Sequence, residues 1–161
     1  MDNRYAQPFV NSVQNIVMQM ADLEVEVKSD LYAENEDLVS LGVTSIINFI
    51  GNIKGRLLLD MEPALAMQIA KNINQEDFES VKDMLVMASI SEMNNIIAGD
   101  ANTTLNNEFE LKLRLAPPIV FTGKNAIISI PRIPSVSIDC NTTAGRLKVN
   151  IAFEGGQKDG N

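Results

Sequence analysis

The chain is expected to form an α/β two-layer sandwich, with long helices on one face of a largely antiparallel sheet and a pseudo-twofold internal repeat. Three observations lead there. Apolar residues recur at helical spacing in three stretches, and alternate with polar residues or form short apolar runs elsewhere. Turn residues join successive strand-like runs directly, which favours antiparallel pairing. The order of helix, three strands, two helices and about five strands places similar units in each half of the chain.

The elements follow in order. In residues 7 to 20, Phe9, Val13, Ile16 and Met20 form one helical stripe, and Pro8 suits a first turn. Leu23, Val25 and Val27 alternate with Glu24, Glu26 and Lys28, as in a half-buried strand. The run LVSLGVTSIINF at 38 to 49 is apolar on both phases, as near a sheet centre. Gly51-Asn52 and Gly55 mark a hairpin, with Arg56 to Met61 returning. Pro63 opens a helix along Leu65, Ile69 and Ile73. Asn74 is read as the N-cap of the next helix, from about Glu76 to Gly99, with Asp100 and Asn102 ending it. Phe109, Leu111, Leu113 and Leu115 then alternate with charged residues as a strand. Ile119 to Phe121, the segment AIISI, Val136 to Cys140 and Arg146 to Phe153 complete the sheet, with Pro131 and Pro134 suggesting an edge between them. Residues 1–154 are expected to form a single domain, and 155–161 a disordered tail.

Composition narrows the function. With 161 residues and 45% hydrophobic content, a real core is expected. The net charge of −8 disfavours nucleic acid as a partner. No apolar run is long enough to span a membrane, and the start MDNRYAQPF carries no secretory pattern. Cys140 is the only cysteine, which fits a reducing cytoplasm and reads as an inert core residue. There is no histidine, so histidine-based nucleophile pairs and general bases are excluded.

The two halves echo each other. NSVQNIV at 11–17 is matched by SEMNNII at 91–97, and Gly55-Arg56-Leu57 by Gly145-Arg146-Leu147. Ser12 then stands where Glu92 stands, and Asn15 where Asn95 stands. Arg56 and Arg146, as paired positions, read as sheet-edge cover or ion-pair partners.

Along Met84 to Gly99, Val86, Ile90, Met93 and Ile97 fall on one side of a helix. Glu92, Asn95, Ala88 and Gly99 fall on the opposite side. Residues three apart are helical neighbours, so Glu92 and Asn95 can serve one site, pairing a partner's lysine and orienting a water. The pattern alone carries little weight: 11 Glu and 17 Asn in 161 residues yield about one Glu-x-x-Asn by chance, and one is present. The surrounding face is short of long charged side chains, unlike a merely solvated one.

Glu92-Met-Asn-Asn95-Ile-Ile-Ala-Gly99 resembles the signature of the CheC/CheX/FliY chemotaxis phosphatases, a Glu-x-x-Asn followed by a proline at a fixed gap. Twenty-two residues separate Asn95 from Pro118, as in that signature. APPIVFTG and GVTSIINFIGNIKGRLLL are also similar to CheX segments, and the resemblance spans about residues 5 to 153. One intact motif beside one degenerate copy points to CheX rather than CheC. The resemblance implies a CheC-like fold and hydrolysis of the aspartyl-phosphate of a CheY-like receiver domain. Asn95 would orient the attacking water, and Glu92 would pair with the receiver's lysine. No cofactor is expected in this chain; Mg2+ would belong to the receiver. A homodimer is expected on the same ground. The signature carries Asp or Ser four residues before the Glu, where this chain has Ala88. Two further readings stand beside the enzyme: a non-catalytic adapter that docks on a receiver or flagellar switch component through the same face, and a dimeric domain whose helix face binds another protein.

Overall fold

A computed structural model describes residues 3–129 and 133–154. Three helices, α1 (Asn3–Ala21), α2 (Pro63–Asn74) and α3 (Met84–Phe109), pack together and against one sheet. Its strands are β1 (Glu26–Val27), β2 (Tyr32–Ala33), β4 (Val43–Ile50), β5 (Lys54–Met61), β6 (Arg114–Leu115), β7 (Ile119–Thr122), β9 (Ser135–Thr142) and β10 (Gly145–Glu154). Their order is β1-β9-β10-β5-β4-β6, with β2 also on β9 and β7 also on β4. Every pairing is antiparallel, as expected. A two-stranded ladder of β3 (Leu38–Val39) and β8 (Ile127–Ile128) stands apart from it in the hydrogen-bonding path.

Alternation along the strands divides the core. Val43, Ile47, Phe49, Leu57, Leu59, Met61, Val149, Ile151 and Phe153 join the helices in one large cluster. Leu58, with Leu38 and Ile128 from the small ladder, forms a second, packed by Ile46 and Phe121. The helices therefore cover one face, and β3 and β8 cover part of the other.

The repeat is built into the central ladder. Gly55 and Gly145 are 90 positions apart (145 − 55). Shifting by that offset maps the pair Leu57↔Ile151 onto Leu147↔Met61, and Leu59↔Val149 onto itself, all of them pairs of the β5–β10 ladder. The pseudo-twofold thus passes through Leu59 and Val149. It exchanges β4 with β9, the outer neighbours of β5 and β10, and α1 with α3, which pack on each other.

Several boundaries differ from expectation. Helix α1 begins at Asn3, so Pro8 lies inside it rather than in its first turn. The extra turn is held by Tyr5, whose ring meets Phe109 at 5.0 Å and Phe153 at 5.4 Å. Asn74 ends α2 instead of capping the next helix, and Gln75 closes α2 at φ 60. The N-cap of α3 is Asp83, whose carboxylate accepts from Leu85 N at 2.9 Å. Residues 76 to 83 form a loop, with Asp77 ion-paired to Lys71. At its other end α3 runs through Asp100 and Asn102 to Phe109.

The strand expected from Phe109 to Leu115 is reduced to Arg114–Leu115. Glu110 and Lys112 take left-handed backbone angles of φ 54 and φ 56, which no strand tolerates. The alternation survives because Leu111 and Leu113 are still buried. Asn106 replaces the missing strand partner: its Oδ1 accepts from Leu113 N at 2.7 Å and its Nδ2 donates to Leu113 O at 3.2 Å. The expected tail at 155–161 and Pro131 lie outside the described residues.

Asn106→Ala removes both bonds and strands a partly buried amide. Urea denaturation should show a loss of about 1–3 kcal/mol with an unchanged slope.

Candidate functional site

The inner side of α3 is committed to the core: Val86, Ile90, Met93 and Ile97 are fully buried. At about 100° per residue this leaves Ala88, Glu92, Asn95 and Gly99 outward. Glu92 and Ala88 are exposed, and Asn95 and Gly99 partly so. The expected face exists, and its two polar residues share it one turn apart. Among the described residues, no hydrogen bond or ion pair engages the side chain of either Glu92 or Asn95, so both remain available to a partner.

The rim is apolar and open. Helix α3 lies against β6 and β7, which bracket Pro117-Pro118. A Cβ placed on Gly99 would meet only Leu115 Cδ1, at 3.8 Å. Met84 and Leu85 at the helix start, and Ile119 at the start of β7, are exposed large apolar residues. A convex helix with apolar flanks suits contact with another protein surface better than enclosure of a small molecule.

Ala88 stands on this face with no polar group to offer. Neighbouring Ser89 does not substitute for it. It is buried, donates to Leu85 O at 2.7 Å, and accepts from Asn74 Nδ2 at 2.8 Å. It fastens α3 to α2.

The degenerate half is arranged differently. Ser12, at the position matching Glu92, is buried and donates to Asp100 Oδ2 at 2.7 Å. Asn15 lies in a groove of about 490 Å3 between α1 and α3, also lined by Asn11, Asp100 and Thr104. Here a serine joins two helices where the other half presents a carboxylate.

Other candidates separate from this face. Cys140 is buried on the sheet, and burial, then Asp139, pushes its thiol up to about 11. Arg146 pairs with Glu62 at 3.3 Å. Arg56 is not at a sheet edge: it is buried on central β5, Nε and Nη2 have no partner among the described residues, and burial lowers its pKa. Among the described residues, no three His, Cys, Asp or Glu side chains gather as a metal-binding group, and no helix is long and apolar enough to cross a membrane.

A two-layer domain with repeated halves and one open helix face of this kind is the architecture of CheC-like proteins. The chain is similar to a solved CheC-like superfamily protein from Shewanella sp. PV-4, with TM-score 0.87, 26% identity, and 96% of this chain and 100% of that one covered. A chemotaxis protein CheX from Desulfovibrio desulfuricans has the same fold, with TM-score 0.85, 22% identity, and 94% and 99% covered. So does the CheX of a CheX–CheY–BeF3–Mg2+ complex from Borrelia burgdorferi, with TM-score 0.79, 24% identity, and 93% and 97% covered. Comparison with curated protein sequences returns no match.

The family model described as chemotaxis phosphatase CheX matches residues 43–153, and the chain belongs to that family. Its activity is the family's: hydrolysis of the aspartyl-phosphate of a CheY-like receiver.

Two predictions concern this region. Gly99→Ala has room for its methyl group and should raise stability by about 0.5–1 kcal/mol in urea denaturation. Cys140 should resist iodoacetamide in the native protein at about pH 8 and react fully once unfolded, as mass spectrometry would show.

Proposed function

We propose that Glu92 and Asn95 are the working residues of this phosphatase. The observation that carries the assignment is their joint projection from an otherwise shallow helix face, with neither side chain spent on a hydrogen bond or ion pair among the described residues. Docking brings the phosphoryl group of the receiver over Asn95. The carboxamide oxygen accepts a hydrogen bond from a water and aims its lone pair at phosphorus. Water forms the new P–O bond as the bond to the aspartyl oxygen breaks, releasing phosphate and restoring the receiver's carboxylate. Glu92 pairs with the receiver's lysine and fixes the angle of approach.

This is catalysis by placement, which phosphoryl transfer permits without a nucleophile from the phosphatase. Mg2+, expected in the receiver, would neutralise charge on the phosphoryl oxygens. It is supplied with the substrate. Ala88 leaves the neighbouring position without a polar contact, so recognition relies on Glu92, Asn95 and the apolar rim around Pro118. We place the protein in the cytoplasm with its receiver and as a homodimer. The dimer is supported by family resemblance, and light scattering tests it.

The deciding experiment follows the decay of a CheY-like receiver phosphorylated with acetyl phosphate, with and without this protein. Asn95→Ala should abolish the acceleration while receiver binding persists. Glu92→Ala should weaken binding and turnover together. Wild-type rates in both variants would overturn the assignment. Binding of the phosphorylated receiver by the native protein without faster decay would identify an adapter instead.

A further inference from the structure

Helix α3 carries one residue whose chemistry its surroundings do not require. Asn94 is fully buried, and its neighbours on the inner side of the helix, Ile90, Met93, Ile97, Ala98 and Ala101, are fully buried and apolar. Its Nδ2 donates to Ser45 Oγ at 2.8 Å, and Ser45 is also fully buried. Its Oδ1 has no partner among the described residues. An amide buried with its oxygen unpaired is less stable than an aliphatic side chain of similar size there. Packing alone does not select it.

Its position does. Asn94 lies directly between Met93 and Asn95, and two residues beyond Glu92. Ser45 sits on β4 in register with Val120 of β7, two residues beyond Pro118. One hydrogen bond therefore links the helix bearing Glu92 and Asn95 to the strand pair that carries the rim of the docking face.

We infer that Asn94 is a positioning residue for the phosphatase reaction, its bond to Ser45 setting the rotation of α3 about its axis and so the aim of the Asn95 carboxamide. The inference rests on the assignment of Glu92 and Asn95 as the site. An apolar stripe fixes which side of a helix faces inward, but it slides over a broad arc. A directional bond at one residue's remove narrows that arc, and water placement for in-line attack is sensitive to shifts near 1 Å.

The test uses Asn94→Leu and Ser45→Ala in the full chain, with a CheY-like receiver phosphorylated by acetyl phosphate as substrate. Asn94→Leu, which exchanges an unpaired amide oxygen for an unpaired Ser45 hydroxyl, should melt near the wild-type temperature yet lower kcat on the order of 10–100-fold, with KM within about twofold. Ser45→Ala should lower kcat in the same way, and the double variant should be no slower than the slower single one, because both remove one bond. A purely structural role would move the melting temperature and leave kcat per folded molecule unchanged. Should Asn94→Leu fail to fold, Ser45→Ala carries the test. Asn95→Ala is measured alongside. If it is inactive while Asn94→Leu and Ser45→Ala keep wild-type kcat and KM, this inference alone is overturned. If Asn95→Ala itself keeps wild-type activity, the site assignment falls and this inference with it.

Discussion

Burial of one side of α3 decides what its other side can do. Val86, Ile90, Met93 and Ile97 are each removed from water, and each large apolar side chain so buried contributes about 1.5–3 kcal/mol. A single side-chain hydrogen bond contributes about 0.5–1.5 kcal/mol net. The hydrophobic term therefore outweighs any one polar contact and keeps Glu92 and Asn95 turned outward. Polar contacts act within that limit. Ser89 ties the helix to α2 through Asn74, Asn94 ties it to β4 through Ser45, and Asp100 ties it to α1 through Ser12. These three fastenings reach three different elements, from positions before, between and after Glu92 and Asn95 in the helix.

The pseudo-twofold relates two helices whose matching positions are used differently. The axis through Leu59 and Val149 places α1 and α3 in equivalent settings on the same sheet. What separates them is how the matching positions spend their polar groups. Glu92 makes no hydrogen bond or ion pair among the described residues, whereas Ser12 is buried and donates to Asp100. A short hydroxyl reaches the neighbouring helix at 2.7 Å and steadies the pair. Duplication of the frame does not require duplication of the face, because sheet and core are held by apolar alternation that both halves keep.

Much of this was legible in the residues because periodicity is a property of the buried side. The stripe in α3, the alternation at Leu111 and Leu113 and the matched Gly-Arg-Leu triplets all report burial, and each was readable. Helix ends were not, since Asn74 and Asp83 offer similar capping chemistry and only tertiary context chooses between them. The segment after Phe109 alternates like a strand while its backbone turns left-handed at Glu110 and Lys112. Asn106 makes that possible by bonding Leu113 through its side chain. Asn94 did leave a signal, a polar residue four after Ile90 and three before Ile97. Its meaning depends on Ser45, 49 positions earlier in the chain, and no local pattern carries that.

The proposed division of labour would account for an enzyme with no histidine. A carboxamide does not titrate, so its hold on a water is the same across the pH range in which a histidine base would gain or lose its proton. Such a group is weak as a base and depends on geometry, which is why its support matters more than its acidity. In the proposed mechanism the groups that carry strong charge, the phosphoryl group, the metal and the lysine, would arrive with the receiver. On the proposed assignment this chain would contribute an unchanging direction, supplied by the burial of α3 together with its polar fastenings.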